Sequence, residues 1–309
     1  ELILNHDPKK IIIYSRDELK QFEMQKYFSS IQDDPTPMRY FIGDVRDLQR
    51  LTTAMEKVDL VVHAAALKQV PSVEAHPYEA VKTNIIGAYN VVTAAVARKV
   101  SKVIAVSTDK AVKPVNAMGM TKALQEKLIL SDEITKDKTT FCCVRYGNVL
   151  GSRGSVIPLW DKRLEQNKPL PITHPDMTRF MLTLSQAIDL VFYSLKNGKG
   201  GEIFVKKAPA TKMVNLARAY AELKTGKKNY PLEYIGIRAG EKIDEVLVSE
   251  EEMRHVSEKK DHFVIKRESL IDKSFLKKST KLTEYGSGTI TPLNIEELKS
   301  LMKKLKWVA

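Results

Sequence analysis

The chain has 309 residues, of which 43% are hydrophobic and 28% are charged, which is enough apolar material for a sizeable core. No apolar run is long enough to span a membrane and no signal-peptide pattern is found, so we expect a cytoplasmic protein without membrane insertion. The net charge of +12 comes largely from lysines interleaved with Glu and Asp, which indicates solvated helix faces rather than a nucleic-acid surface, although positive potential also attracts anionic small molecules.

The predicted elements alternate between short β-branched strands and longer helical patterns. In chain order they are a strand over 9–15, a helix over 16–28, a strand over 38–44, a helix over 46–57, a strand over 58–66, a helical stretch over 77–99, a strand over 101–108, a helix from about Met118, a strand over 140–148 and a last strand over 200–208. Continuous apolar strands separated by helices predict an α/β fold with a doubly wound parallel sheet that is covered on both faces.

After Asn148 the pattern changes to short apolar pieces punctuated by Gly and Pro, which predicts a second, smaller lobe. We expect residues 1–150 with 176–207 to form the nucleotide-binding domain. Residues 151–175 with 208–309 would then form the substrate-binding lobe, over the carboxyl ends of the strands where open α/β sheets bind ligands.

The cysteines and histidines show no metal-binding pattern. Cys142 and Cys143 are adjacent in a strand pattern, so their side chains should point to opposite faces of the sheet and not pair with each other. The six histidines have no ligand spacing with one another or with these cysteines, so no metal is predicted.

A nucleotide-binding domain of this kind should begin with a strand and a Gly-rich turn, but the first glycine is Gly43. ELILNHDP at the start is typical of the end of a helix. Either the chain is a truncated form, or a strand and a phosphate-binding turn precede the residues given. The intact remainder of the site favours the second interpretation.

Adenosine recognition is expected where the strand over 9–15 ends. An acidic residue there would favour NAD, whereas Ser15 and Arg16 can hold a 2′-phosphate and favour NADP. Ser15 and Glu18 also fit a capping box that starts a helix, and the two interpretations are compatible. After the next strands, Asp44 and Val45 are placed to flank the adenine, and the small residues 64–66 (Ala64, Ala65 and Ala66) allow a cofactor to approach the backbone closely.

The stretch STDKAVKPVNAMGMTK, Ser107 to Lys122, runs from the end of a strand into a helix. One class of nucleotide-dependent enzymes has a catalytic Tyr four residues before a Lys at such a place. This chain has Met118 there, whose thioether cannot exchange a proton. Taken alone, the stretch also fits a turn followed by an amphipathic helix in which Met118 packs in the core.

Together, several segments resemble the 5-inverting UDP-N-acetylglucosamine 4,6-dehydratases, which are extended short-chain dehydrogenases/reductases of bacterial surface-glycan biosynthesis. The segments are YSRDELKQ, FIGDVRD, HAAALKQVPSVEAHPYEAVKTNIIGA, STDKAVKPVNAMGMTK, RYGNVLGSRGSVIP, MTRFMLTL and GIRAGEK. The resemblance covers most of the chain to about residue 255 and implies a Rossmann-type sheet, an NADP cofactor, UDP-N-acetylglucosamine as substrate and a homo-oligomer such as a hexamer. KQVPS and NAMG resemble the branch that makes precursors of capsule and O-antigen sugars, Met included.

A 4,6-dehydratase removes hydride from carbon 4 and a proton from carbon 5, expels the 6-hydroxyl as water and returns the hydride to carbon 6. Asp109 is the candidate acid for the leaving hydroxyl. Lys110 is the candidate base at carbon 5, with its pKa lowered by burial, by nearby Lys122 and by cofactor charge. Thr108 would hydrogen-bond the 4-hydroxyl, and Lys122 would hold the nicotinamide ribose. Because Met118 is aprotic, the 4-hydroxyl proton would pass to Asp109, directly or through water.

The remaining candidate residues follow from the resemblance and would bind the cofactor or the UDP-sugar. Tyr146 and Asn148 are assigned to the cofactor, Asn148 with Ser155 and Val156 to the diphosphate and uracil, Arg179 and Arg238 to the diphosphate, Glu241 to the uridine ribose and Lys68 to the sugar or the mouth of the cleft. Each of these side chains could instead form a surface ion pair. The alternatives to the dehydratase are a UDP-hexose 4-epimerase on the same fold and an inactive nucleotide-sugar-binding protein.

Overall fold

The computed structural model describes residues 6, 8–31, 38–131, 133, 138–151, 155–267 and 282–304. The predicted helix end in ELILNHDP lies largely outside the described residues. The strands are β1 Ile11–Ser15, β2 Met38–Ile42, β3 Leu60–His63, β4 Lys102–Val106, β5 Thr140–Arg145, β6 Asn148–Val149, β7 Leu170–Ile172, β8 Thr178–Leu182, β9 Glu202–Lys206, β10 Ala210–Lys212, β11 Leu232–Tyr234, β12 Val246–Val248, β13 Val256–Glu258, β14 His262–Lys266 and β15 Tyr285–Gly286.

The helices connect these strands and cover the sheets. They are α1 Glu18–Ile31, α2 Leu48–Ala54, α3 Val70–Ala75, α4 Pro77–Ala80, α5 Gly87–Ala97, α6 Ala117–Ile129, α7 Val156–Glu165, α8 Leu184–Asn197, α9 Met213–Thr225, α10 Glu250–Met253 and α11 Ile295–Lys304. A π-helical segment, Val81–Ile86, joins α4 to α5, and a 3₁₀ turn, Asp109–Ala111, follows β4. None of the helices in the described ranges is long and apolar enough to cross a bilayer.

The main sheet has six strands in the order β13-β14-β9-β5-β4-β3. β3, β4, β5 and β9 are parallel to one another, and helices lie on both faces of the sheet. The predicted α/β fold with a doubly wound parallel sheet is therefore confirmed. β1 and β2 form a separate parallel pair beside α1.

The two faces of the main sheet have separate apolar cores. On one face Cys143 packs with residues of α5 and α6, and on the other Cys142 packs with Leu190 of α8. The prediction that Cys142 and Cys143 point to opposite faces is confirmed. Both thiols are buried and free.

Two details of the main domain differ from the sequence predictions. β14 pairs antiparallel with β9 and extends the main sheet, whereas we expected residues 208–309 to belong to the smaller lobe. In addition, Asp17 rather than Ser15 caps α1, because the Asp17 carboxylate accepts a hydrogen bond from the Lys20 amide at 3.0 Å. The Ser15 hydroxyl instead accepts the Asp17 amide at 3.1 Å, so the expected capping box is wrong.

The smaller lobe has its own apolar core between α7, α9, α11 and β7. Trp160 of α7 is fully buried and its ring lies 6.0 Å from that of Tyr220 in α9, while Leu298 and Met302 of α11 close the cluster. Next to this core, β7 pairs in parallel with β11.

A buried guanidinium, Arg145 at the end of β5, ties α6, β12 and α10 together. Its Nε and Nη2 donate to the Glu126 carboxylate of α6 at 3.0 and 2.6 Å, and its Nη1 donates to the Leu247 carbonyl of β12 at 2.9 Å. Both Nη atoms also donate to Glu252 of α10 at 2.9 Å. Burial alone would lower the pKa of Arg145, but the two carboxylates outweigh burial and raise it.

Replacement of Arg145 by Met should lower the free energy of unfolding by about 3–5 kcal/mol, because the Glu126 carboxylate would stay buried without a partner. Urea denaturation measures this loss. The control is Arg163→Met, which breaks the exposed pair with Glu233 at 3.7 Å and should cost less than about 1 kcal/mol. Equal losses in the two variants would contradict the role assigned to Arg145.

Candidate active site

The centre of the candidate site is the turn that follows β4. The Ser107 amide donates to the Val144 carbonyl at 2.7 Å and the Asp109 amide to the Tyr146 carbonyl at 3.3 Å, so the chain stays attached to β5 beyond the end of β4. The Thr108 hydroxyl donates to Asp109 Oδ1 at 2.8 Å and accepts the Lys110 amide at 3.3 Å. Thr108 therefore fixes the orientation of the Asp109 carboxylate.

Helix α6 packs directly on this turn. Gly119 makes the close approach possible, because a side chain there would collide with the Lys110 carbonyl. Asn116 caps α6 by accepting the Gly119 amide at 2.7 Å, and its Nδ2 donates to the Gly240 carbonyl at 2.7 Å. Asn116 thus connects the turn, α6 and the GIRAGEK loop of the smaller lobe.

The Lys110 ammonium lies between two carboxylates. Its Nζ is 3.1 Å from Asp109 Oδ1 and 3.2 Å from Glu245 Oε1. The Asp109 and Glu245 side chains are only 1% and 2% exposed, whereas that of Lys110 is 24% exposed. Among the described residues, Asp109 Oδ2 and Glu245 Oε2 are buried without a hydrogen-bond partner. Lys110 is therefore the member of this cluster that reaches toward solvent.

The expected lowering of the Lys110 pKa is wrong. Burial lowers the pKa of Lys110, but the neighbouring Asp109 and Glu245 carboxylates outweigh burial and raise it. It is Lys122 whose pKa burial lowers, to about 8. The Lys122 Nζ donates to the Val106 carbonyl and to Gln125 Oε1, both at 2.7 Å. Lys110 is thus held as an ammonium, and Lys122 is the more readily neutralised of the two lysines.

Met118 lies in a small apolar cluster and not among the charged groups. It is buried with Val73 and Ala80, and Leu67 and Val70 pack against the same cluster. Met118, which stands at the position of the usual Tyr, therefore packs against apolar side chains in this structure.

Glu245 is a site residue that the sequence analysis did not identify. It directly precedes β12, and its backbone is held by Ser287, whose Oγ accepts the Glu245 amide at 2.9 Å. Burial and the neighbouring Asp109 raise the pKa of Glu245. The sequence DEVLV shows an acidic residue at the start of an apolar strand, which could have drawn attention to Glu245. Nothing in the sequence, however, places that strand beside the turn after β4.

The predicted adenosine-binding residues lie together at the ends of β1 and β2. The Arg16 Nη1 is 3.3 Å from Asp44 Oδ2, and the Tyr14 hydroxyl donates to the Asp44 carbonyl at 2.8 Å. Val45 is buried against Gly87, where a side chain would collide with it. Arg16 is largely exposed, so its guanidinium is accessible to an anion.

The loop after β3 presents small side chains at the same edge. Ala64 and Ala65 are exposed and Ala66 is half-buried. Asn84, in the π-helical segment, holds this loop: its amide exchanges hydrogen bonds with the Leu67 backbone at 2.8 and 3.0 Å, and it donates to Thr121 of α6 at 3.0 Å. Asn84 was not predicted as a site residue.

The predicted substrate-binding residues have different environments. Arg179 is buried and donates to the carbonyls of residues 178, 242 and 243, and its Nε is 3.7 Å from Glu245. These internal contacts favour a structural role over the predicted diphosphate binding. Arg238 is exposed and pairs with Glu241 at 3.0 Å, so it remains accessible to a ligand.

The other predicted residues lie on accessible segments. Asn148 and Lys68 are exposed and Tyr146 is partly buried. Ser155 precedes α7, which begins at Val156, and the Ser155 hydroxyl is buried without a hydrogen-bond partner among the described residues. The start of α7 has no side-chain cap, and the free amide groups at the start of a helix are suited to binding an anionic group.

Known proteins with similar sequences and structures place the chain in a family. A family profile described as "Polysaccharide biosynthesis protein" matches residues 1–267. A UDP-glucose 4-epimerase of Rickettsia bellii is 46% identical over 98% of this chain and 89% of its own length. The X-ray structure of Pen from Bacillus thuringiensis is 39% identical, with a TM-score of 0.88 over 98% of this chain and 92% of its own.

A more distant structure agrees in fold. DesIV, a dTDP-glucose 4,6-dehydratase from Streptomyces venezuelae solved with NAD bound, is 19% identical, with a TM-score of 0.68 over 78% of this chain and 80% of its own. The chain belongs to the polysaccharide biosynthesis protein family, and curated relatives that are 44–46% identical over nearly its whole length are named UDP-glucose 4-epimerase.

Proposed function

We propose that this protein is an NADP-dependent UDP-N-acetylglucosamine 4,6-dehydratase that inverts carbon 5. Its product would be a UDP-4-keto-6-deoxy-N-acetylhexosamine for surface-polysaccharide biosynthesis. The observation that carries the proposal is the pair of proton-exchanging groups, Asp109 and Lys110, at the end of β4, together with an aprotic Met118 buried in an apolar cluster.

The chemistry of dehydration explains why these groups are needed. The bound nicotinamide would supply the acceptor and donor of hydride. The protein must then take the proton of the 4-hydroxyl, remove the proton at carbon 5, protonate the departing 6-hydroxyl and reprotonate carbon 5 from the opposite face. We assign the hydroxyl protons to Asp109, whose carboxylate is oriented by Thr108, and the carbon-5 proton to Lys110.

The NADP assignment rests on the end of β1. The residue at this point is Arg16, and the nearby Asp17 carboxylate is used as a helix cap. An exposed guanidinium fits a 2′-phosphate, since arginine binds phosphate bidentately. The exposed Ala64 and Ala65 follow β3, and the Lys122 Nζ contacts the carbonyl of Val106 at the end of β4. We assign the rest of the nicotinamide dinucleotide to these two strand ends.

The substrate assignment uses the accessible groups of the smaller lobe. Arg238 would bind the diphosphate and Glu241 the uridine ribose, with the Arg238–Glu241 pair opening on binding. The binding surface around the UDP and the sugar would be completed by Asn148, by Ser155 and Val156 at the start of α7, and by Lys68.

The second candidate is a UDP-glucose 4-epimerase, because curated relatives at 44–46% identity carry that name. An epimerase needs one acid/base for the 4-hydroxyl and no group for carbon 5. The Lys110 ammonium and the second carboxylate, Glu245, are better explained by dehydration.

Asp109→Asn and Lys110→Ala should each lower kcat by roughly 10²- to 10⁴-fold, the usual contribution of a positioned acid or base. Mass spectrometry of UDP-N-acetylglucosamine reactions measures loss of water from the sugar. Met118→Ala is the matched control within the same stretch: it should be less stable by about 2–5 kcal/mol but keep substantial activity per folded molecule. A product of unchanged mass from the unsubstituted protein would refute the dehydratase, and inactivity of folded Met118→Ala would refute the assignment of proton transfer to Asp109 and Lys110.

Arg16→Ala should reduce the preference for NADP over NAD by roughly 10- to 100-fold, because a charge-assisted hydrogen bond contributes about 1.5–3 kcal/mol. Calorimetric titration with each cofactor measures this ratio. Arg39→Ala, an exposed arginine at the other end of the β1–β2 pair, should leave it unchanged. An unaltered ratio in Arg16→Ala would argue against the 2′-phosphate contact.

A further inference from the structure

The proposed dehydration, on which this inference rests, requires the protein to hold two protons at once. The substrate loses the 4-hydroxyl proton and the carbon-5 proton before it receives one proton at the departing 6-hydroxyl and one at carbon 5. An epimerase holds only the first of these. The site must therefore contain two groups that can accept a proton between those steps.

The resting charges leave only one acceptor in the Asp109–Lys110 pair. Lys110 contacts two carboxylates within 3.2 Å and is held as an ammonium, so it cannot take a further proton. Asp109 can take the 4-hydroxyl proton. The carbon-5 proton then needs a second acceptor, and Lys110 can serve only if it first passes its own proton to another group.

Glu245 is placed to receive that proton. Its Oε1 is 3.2 Å from the Lys110 Nζ, and its Oε2 is buried without a hydrogen-bond partner among the described residues. The Glu245 carboxylate is 2% exposed and contacts the Lys110 ammonium, which is the more exposed of the two groups at 24%. The Ser287 amide donates to the Glu245 carbonyl at 2.8 Å, and the Ser287 hydroxyl accepts the Glu245 amide at 2.9 Å. These two hydrogen bonds fix the position of Glu245.

We propose that Glu245 is the second proton acceptor of the site and that it acts through Lys110. A proton moves from the Lys110 Nζ to the Glu245 carboxylate, which converts an ion pair into a neutral amine and a neutral carboxylic acid. The Lys110 amine then takes the proton of carbon 5, whose electron pair becomes the enolate of the 4-ketone. The enolate then expels the 6-hydroxyl, which leaves as water with the proton of Asp109 and gives a double bond between carbons 5 and 6. Carbon 6 would regain the hydride, and carbon 5 would take a proton from solvent on the opposite face. The Lys110–Glu245 pair gives its extra proton to solvent, which restores the resting ion pair.

The surroundings of Glu245 favour this role. The charged groups that face it are Asp109 and Lys110 of the turn, Arg179 of β8 and Lys242 of the preceding loop. The two further cations are directed elsewhere, Arg179 mainly to backbone carbonyls and Lys242 to the Val112 carbonyl at 2.6 Å. Burial and Asp109 together raise the pKa of Glu245, as a proton acceptor in this position requires.

The test is Glu245→Gln in the full chain, with UDP-N-acetylglucosamine in heavy water. Oxidation of carbon 4 should continue, so the 4-keto sugar should accumulate in the quenched mixture. Deuterium incorporation at carbon 5 and loss of water should fall by roughly 10²-fold or more, with little change in KM because Glu245 acts through Lys110 and not on the substrate. Glu245→Asp keeps a carboxylate and should restore part of the exchange.

The control for removal of a buried carboxylate is Glu202→Gln. Glu202 is buried, accepts the amides of Lys199 and Gly200 and lies away from the turn. This variant should exchange deuterium at carbon 5 at the original rate.

Three results would overturn the inference. The first is deuterium exchange at carbon 5 in Glu245→Gln within about threefold of the original rate. The second is an equal loss of this exchange in Glu245→Gln and Glu245→Asp. The third is a joint loss of carbon-4 oxidation and substrate binding, which would indicate that Glu245 is a purely structural residue. The unsubstituted protein tests the proposed function separately: a product with an intact 6-hydroxyl and no deuterium at carbon 5 would refute the dehydratase whatever Glu245 does.

Discussion

The buried guanidinium of Arg145 is the interaction on which the arrangement of the site depends. It binds Glu126 of α6, Glu252 of α10 and the Leu247 carbonyl of β12 in one place. Since α6 carries Lys122 and the residue before β12 is Glu245, this contact fixes the distance between two segments that bring functional groups to β4. Desolvation of three charges is costly, and bidentate geometry together with the carbonyl contact is what offsets that cost.

Local close contacts then place the turn after β4 within this frame. Gly119 lets α6 lie against the Lys110 carbonyl, and Asn116 connects the start of α6 to Gly240 in the smaller lobe. The Lys110 side chain consequently extends between Asp109 and Glu245, which come from distant parts of the chain. The charge state of Lys110 is therefore a property of the assembled fold and not of the STDK motif.

Much of the fold could be predicted from the sequence, because apolar strand patterns and their alternation with helices are local signals. The positions of β3, β4 and β5 and the opposite orientations of Cys142 and Cys143 follow from them. The pairing of β14 with β9 could not be predicted, because the sequence pattern of an added antiparallel strand does not show which strand it pairs with.

The candidate site was predictable to the extent that it is contiguous in sequence. Asp109 and Lys110 were predicted from the resemblance to the 4,6-dehydratases together with their place after a strand. The direction of the Lys110 pKa shift, however, depends on Glu245, which belongs to a distant segment. Likewise, nothing local distinguishes Arg179, whose donors turn inward, from the exposed Arg238. Side-chain partners across the chain require tertiary structure.

The most direct measurement of the central claim is proton NMR of the product formed from UDP-N-acetylglucosamine in heavy water. If Asp109 and Lys110 carry out dehydration, the spectrum should show a methyl group at carbon 6, a ketone at carbon 4 and deuterium at carbon 5 in the inverted configuration. A product that retains its 6-hydroxyl and its carbon-5 proton, with only carbon 4 inverted, would contradict the account and identify an epimerase.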